Sequence, residues 1–122
     1  MPDAEADRLL HLATPVASDD PDIAACWELV LEAIRAGWMN GRLLDQFIAA
    51  LDAGRGRGIE EFGIDVAEHD PVRVEVWFIQ DERTCSRAGM RDALQRLRVA
   101  RDELATAAPP PDVSASRRRR RR

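Results

Sequence analysis

The sequence predicts an α+β fold with an N-terminal helical hairpin, a small antiparallel sheet and a long C-terminal helix. Apolar residues recur at helical spacing before residue 54, alternate with polar residues from 72 to 78, and return to helical spacing after residue 84. The 122 residues suit one domain, which we assign to residues 1–108. Residues 109–122 begin with three prolines and hold one large apolar side chain, so this segment is expected to be disordered.

The first half of the chain predicts the helical hairpin. Asp20 and Pro21 form a helix start, with a carboxylate at the N-cap position and proline at the first helical position. An apolar stripe then extends from Ile23 to Trp38, and Asn40-Gly41 ends the helix. A second stripe spans residues 43–51. Because the connection is short, the two helices are predicted to be antiparallel.

The middle of the chain predicts a two-stranded hairpin. In residues 72–78, four apolar residues alternate with Arg73, Glu75 and Trp77, which is typical of a strand with one buried face. A weaker alternation over residues 59–68 predicts its partner, because a lone strand cannot satisfy its backbone groups. The Arg-Gly-Arg-Gly stretch at residues 55–58 has no apolar pattern and is predicted to be a flexible connection.

The last predicted element is a long helix. Thr84 or Ser86 is expected to cap it, and it should extend to about Ala108. An apolar stripe on it faces the core or, alternatively, forms the seam of a homodimer. The stripe comprises Met90, Leu94, Leu97 and Leu104.

Charge is divided unevenly along the chain. The net charge is −4, but residues 1–70 hold 15 acidic residues and 5 arginines, whereas residues 71–122 hold 7 acidic residues and 13 arginines. The acidic part repels nucleic acid and anionic membranes, so a dedicated DNA-binding domain is not predicted.

The chain ends in six arginines: Arg117, Arg118, Arg119, Arg120, Arg121 and Arg122. A tethered polycation of this kind binds nucleic acid, acidic proteins or anionic lipid without sequence specificity. Three interpretations remain open. The tail contacts phosphate, or it folds onto the acidic residues 1–70 of its own chain or a neighbouring molecule, or it is an appendage or a product of coding bias without a selected role.

Catalytic chemistry has two candidate locations. Carboxylates at Glu60-Glu61 and Asp65 precede Glu68-His69-Asp70, but their spacing matches no metal motif, and a solvated polar turn is the favoured interpretation. Cys85 lies near Arg83 at the predicted helix start, where its thiol pKa would be lowered, yet no catalytic partner accompanies it. We therefore predict no enzyme, no metal and no cofactor.

The compartment is predicted from the cysteines and the N-terminus. Cys26 and Cys85 form no C-x-x-C pattern and suit a reducing environment; a single bridge between them is the alternative. The acidic start lacks a signal-peptide pattern, and no apolar run is long enough to span a membrane. A cytoplasmic protein that does not contact membranes is expected.

The predicted interaction site centres on Trp77, because its place in the strand puts it on the side opposite the core with Arg73 and Glu75. A covering loop or helix on that side is an equal alternative. An arginine edge on the last helix completes the site, unless its members pair with the acidic first half, which we favour. This edge consists of Arg87, Arg91 and Arg98.

The sequence thus predicts a small non-enzymatic adaptor or regulatory domain that binds an unidentified protein. One alternative is a nucleic-acid-associated protein that contacts phosphate through Arg117–Arg122. Another is an acidic mimic of nucleic acid that occupies a basic partner.

Overall fold

The computed structural model describes residues 4–16 and 19–107. The predicted α+β class is confirmed, with four helices and a four-stranded antiparallel sheet. The predicted tail, residues 109–122, lies outside the described residues. In chain order the elements are α1 (Ala4–Ala13), α2 (Pro21–Ala36), α3 (Gly41–Asp52), β1 (Arg57–Ile59), β2 (Phe62–Ala67), β3 (Asp70–Phe78), β4 (Asp81–Ser86) and α4 (Arg87–Ala107).

The starts of α2 and α4 follow the predicted capping chemistry. The Asp20 carboxylate accepts a 2.8 Å hydrogen bond from the Asp22 backbone N–H, with Pro21 at the first helical position of α2. The prediction that Asn40-Gly41 ends the first of these helices is wrong, because α2 ends at Ala36 and Gly37 caps it with a left-handed φ of 89°; Asn40 instead caps α3 by accepting a hydrogen bond from the Leu43 N–H. Of the two residues expected to cap the last helix, Ser86 does so, since its Oγ accepts a hydrogen bond from the Gly89 N–H.

The sheet contains two strands beyond the predicted hairpin. β1 forms from residues 57–59, so the prediction of a flexible connection over residues 55–58 is wrong at its second half. β4 uses residues 81–86, including Thr84, which was expected at the start of the last helix. Both strands supply backbone partners that a two-stranded hairpin would have left unpaired. The strand order is β1-β2-β3-β4, and neighbouring strands are antiparallel.

The hydrophobic core lies between one face of this sheet and the helices. α3 packs against β1 and β2, whereas α2 and α4 pack against β3 and β4. The rings of Phe47 and Phe62 meet edge to face with centroids 5.3 Å apart. Trp27, which belongs to the predicted apolar stripe of α2, is buried in the core, and its Nε1–H donates to the Ala13 carbonyl, which ties α2 to α1.

Two apolar residues predicted to be buried are exposed instead. Val72 is 69% exposed, because it lies at the start of β3, beside the irregular register between Val66 and Ala67 of β2. Leu104 is 44% exposed near the end of α4. None of the helices within the described ranges has both the length and the hydrophobicity needed to cross a membrane.

Candidate interaction surface

The side of the sheet that faces away from the helices forms a continuous surface, here called the outer face. Strand register places Gly63 beside Trp77 and Asp65 beside Glu75, and on the other side of β3 it places Glu82 beside Trp77. Side chains that share a register row point to the same face, so these residues lie together. The outer face consists of Gly63, Asp65, Arg73, Glu75, Trp77, Glu82 and Thr84.

This surface is open to solvent. Asp65, Glu82 and Thr84 are exposed, whereas Val74 and Val76, which alternate with the outer residues of β3, are fully buried. The predicted position of Trp77 on the side opposite the core therefore holds, and the start of α2 approaches this face at Arg73, where Asp22 lies 3.9 Å away.

Trp77 is nevertheless held in a defined position. Its indole ring lies over Gly63 of the neighbouring strand β2 and reaches Gly58 of β1, so that a methyl group built on Gly63 would lie 2.1 Å from the ring and one on Gly58 would lie 2.9 Å away. The ring is partly buried against the sheet backbone. An immobilised aromatic side chain with one free side loses little conformational entropy on binding, which is typical of interface anchors.

The outer face is acidic around this ring. Asp65 lies directly opposite Glu75, a like-charge cross-strand pair that opposes folding. Within the described residues, the side chains of Asp65, Glu75 and Glu82 have no hydrogen bond or ion pair. Arg73 is the basic residue of the face, and its guanidinium contacts Thr84 at 3.3 Å and Asp22 at 3.9 Å.

Two hairpin turns project beside Trp77 at the same end of the sheet. Glu60, in the β1–β2 turn, has a φ of 42°, and Ile79, in the β3–β4 turn, has a φ of 57°. The turns are joined because the Ile79 N–H donates a 2.7 Å hydrogen bond to the Glu61 carbonyl. A branched residue is strained in this left-handed region, and Ile79 is also 59% exposed. We call Glu60, Glu61, Ile79, Gln80 and Asp81 the turn end.

The predicted arginine edge of α4 contacts other parts of the same chain. Arg87 donates to the Leu51 carbonyl at 2.6 Å and to the Pro71 carbonyl at 3.1 Å, which ties the end of α3 to the start of β3. Arg91 forms a two-pronged ion pair with Asp52, with N–O distances of 2.8 and 2.9 Å. This agrees with the favoured interpretation that the edge pairs with the acidic first half of the chain.

The remaining arginines of this region are also engaged internally. Arg98 donates to Gln95 and lies 3.7 Å from Asp45, whereas Arg101 donates to the Gly41 carbonyl and to Asp45. Arg83 lies on β4 rather than on the helix, where it contacts the Ala25 carbonyl and Glu28. Glu28 belongs to the acidic first half of the chain. The partners of Arg91, Arg98 and Arg101 are Asp52 and Asp45, which lie on α3. Periodicity alone did not place α3 beside α4.

One open groove lies at the start of this edge. Its volume is about 570 Å³, and its lining includes Leu51, Pro71, Val72 and Arg87. Arg87 and Arg91 donate hydrogen bonds to groups of α3 and β3, so their guanidinium groups are already paired within the chain.

The candidate catalytic groups are not assembled into one site. Glu60 and Glu61 precede β2, whereas Glu68 and His69 follow it at the opposite end of the strand, and all four are exposed. Across residues 4–16 and 19–107, no three histidine, cysteine or acidic side chains come close enough to hold a metal ion.

Cys85 directly precedes Ser86, the cap of α4, as predicted, but its side chain lies inside the protein. It is fully buried on the core side of β4, next to the equally buried Cys26 of α2. A hydrogen bond with Cys26 and burial raise the pKa of the Cys85 thiol far above its usual range. The prediction that its environment lowers this pKa is therefore wrong, and the alternative of a packed structural cysteine agrees with the geometry.

Sequence reasoning identified Trp77, Arg73 and Glu75 but missed Asp65, Glu82 and the turn end as parts of the same surface. A one-residue change in register would have put Asp65 on the core side, and only the structure fixes that register. The predicted tail site, Arg117–Arg122, lies outside the described residues. Comparison with protein-family models, with curated proteins and with solved structures finds no match to this chain.

Proposed function

We propose that this chain is a small non-enzymatic interaction domain that binds a partner protein through the outer face and the turn end. The observation that carries the proposal is Trp77, an aromatic ring held against two glycines on an otherwise acidic and open sheet surface. Aromatic anchors of this kind, surrounded by polar groups, are enriched among residues that dominate binding energy.

Strain at the turn end supports the same surface. Ile79 is displayed to solvent in a backbone conformation that glycine or asparagine would adopt at lower cost. A strained, exposed apolar residue next to an anchored tryptophan is consistent with selection for binding rather than for stability. The like-charge pair of Asp65 and Glu75 is a second local cost that a basic partner would relieve.

The arginines of α4 and of the tail have different places in this proposal. Arg87, Arg91 and Arg98 extend the predicted site, but their contacts within the chain favour a supporting role, in which they hold α3 against α4. Phosphate binding by Arg117–Arg122 remains the alternative function. Cytoplasmic localisation belongs to the proposal and rests on the unpaired cysteines.

The test is affinity capture with quantitative mass spectrometry, using wild-type protein and the variant Trp77→Ala. Val99→Ala is the matched control, because Val99 is 43% exposed on α4, away from the sheet. We expect at least one protein to be enriched by wild type and by Val99→Ala and lost with Trp77→Ala. Equal capture by all three forms, with unchanged circular dichroism, would remove Trp77 from the function.

A further inference from the structure

The outer face and the turn end bring together carboxylates that come from β2, β3 and β4 and from the turn between β1 and β2. Arg83, Arg91 and Arg101 have acidic partners within the fold. The carboxylates of the outer face and the turn end have none among the residues that the structure describes. These carboxylates are Glu60, Glu61, Asp65, Glu75, Asp81 and Glu82.

The ligand that suits this surface is an arginine-rich segment. Guanidinium groups pair with carboxylates and also stack on aromatic rings, and a planar arginine beside Trp77 can do both. A lysine-rich segment would bind less tightly, because an ammonium group does not stack on the indole ring as a planar guanidinium does, and the carboxylates would repel an anion. Clustered arginines would also offset the repulsion between Asp65 and Glu75.

The chain carries such a segment within reach. α4 ends at Ala107, and nine residues separate it from Arg117. Nine residues span at most roughly 30 Å, and the fifteen residues to Arg122 roughly 50 Å, at about 3.4 Å per residue. A domain of about 100 residues has a radius of gyration of about 13 Å, so this length allows the arginines to reach the sheet from the end of α4. Tethering also gives the tail an effective concentration in the millimolar range.

We infer that Arg117–Arg122 occupies the outer face of its own chain and competes there with the partner of the proposed function. The inference rests on that function only for the competition, because docking of the tail can be measured without any partner. Contacts of this kind between exposed charges are screened by salt, so docking should be strong at low ionic strength and weak at high ionic strength.

The experiment compares the ¹H–¹⁵N NMR spectra of the full chain and of a chain that ends at Ser116. At 50 mM salt we expect the two chains to differ at the Trp77 indole N–H and at the amides of Asp65 and Glu75. The difference should fall at least fivefold at 1 M salt. It should persist on tenfold dilution, because the tail and the face belong to one molecule. Identical signals at low salt, or loss of the difference on dilution, would overturn the inference.

Charge-matched variants locate the docking site. The face variant carries Asp65→Asn, Glu75→Gln and Glu82→Gln, and the control carries Asp7→Asn, Glu32→Gln and Glu103→Gln at exposed positions elsewhere. The tail-dependent shifts of the remaining outer-face signals should disappear in the face variant and stay in the control. Equal loss in both variants would mean that the tail senses net charge alone and would overturn the inference.

Partner capture separates the two proposals. If the tail docks but Trp77→Ala captures the same proteins as wild type, the proposed function fails and the docking stands. If capture depends on Trp77 but the tail causes no shifts, only the docking fails. If both hold, the chain ending at Ser116 should capture several-fold more partner than the full chain, and equal capture would contradict competition.

Discussion

The ring of Trp77 rests against the α-carbon of Gly63 on the neighbouring strand, so closely that a Cβ at Gly63 would lie 2.1, 2.2 and 2.7 Å from three of its ring atoms. Gly63 is therefore required for space. The contact links the stability of the sheet to the position of the ring, because the ring can lie against the sheet only as long as the backbone beneath it carries no side chain.

Gly63→Ala should displace the ring and lower the free energy of unfolding by about 1–3 kcal/mol, as overpacking of a buried site does. The indole N–H resonance of Trp77 should move, and denaturant unfolding monitored by circular dichroism gives the stability. Gly58→Ala is the control, because its added methyl would lie 2.9 Å from the ring and needs a smaller shift. Equal stability of Gly63→Ala and wild type would show that the ring moves away at no cost.

The elements with strong local signals were predictable from sequence. The cap at Asp20 and the alternation in β3 each depend on a few neighbouring residues, and both occur where expected. β4 was missed because, in residues 81–86, only Cys85 is buried, so its period-two pattern consists of one apolar residue among polar ones. β1 was missed because Gly56 and Gly58, which flank Arg57, leave no apolar alternation to detect.

The candidate surface was predictable only in part. Strand parity alone placed Trp77 and Glu75 together, since both lie on β3. Their neighbours come from other strands and depend on register, which is set by long-range packing rather than by local sequence. For the same reason the sequence did not identify the partner of Arg91 on α4, because Asp52 lies 39 residues away in sequence.

The ion pair of Asp52 and Arg91 predicts a specific acid sensitivity. The hydrogen bond from Arg91 lowers the pKa of the Asp52 carboxyl in the folded state. A lowered pKa stabilises the fold above the unfolded-state value of about 3.9, and this contribution is lost as pH falls below it. Asp52→Asn should therefore lose less stability than wild type between pH 5 and pH 2.

Urea unfolding at several pH values measures this difference. Asp7→Asn is the control, because Asp7 is exposed and has no ion pair among the described residues. It should keep the acid dependence of wild type. A parallel loss of stability in wild type and Asp52→Asn would show that the pair contributes nothing in solution, as holds for many exposed pairs.

The buried thiols of Cys26 and Cys85 predict slow chemistry. Both side chains are inaccessible, and the raised pKa of Cys85 keeps its thiol protonated at neutral and mildly alkaline pH. A maleimide at pH 7.5 should therefore label the native protein only as fast as local opening exposes the thiols, and should label the urea-unfolded protein at once. Mass spectrometry over time distinguishes the two rates. Rapid labelling of Cys85 in the native state would contradict this prediction and support a reactive cysteine.

Substitution of Ile79 allows stability and partner binding to be tested separately. Ile79→Gly relieves a left-handed backbone conformation at φ 57°, and the side chain it removes is 59% exposed and contributes little to the core. We expect the free energy of unfolding to change little or to rise by about 1 kcal/mol, since the relief of strain competes with the greater freedom of glycine in the unfolded chain. Capture of the partner should fall at the same time. Glu60→Gly makes the equivalent backbone change at φ 42° but removes a carboxylate of the turn end, so the pair of variants compares the contribution of the charge with that of the apolar group. If Ile79→Gly kept full binding, the turn end would lie outside the interface, and Trp77 with its acidic neighbours would form the whole site.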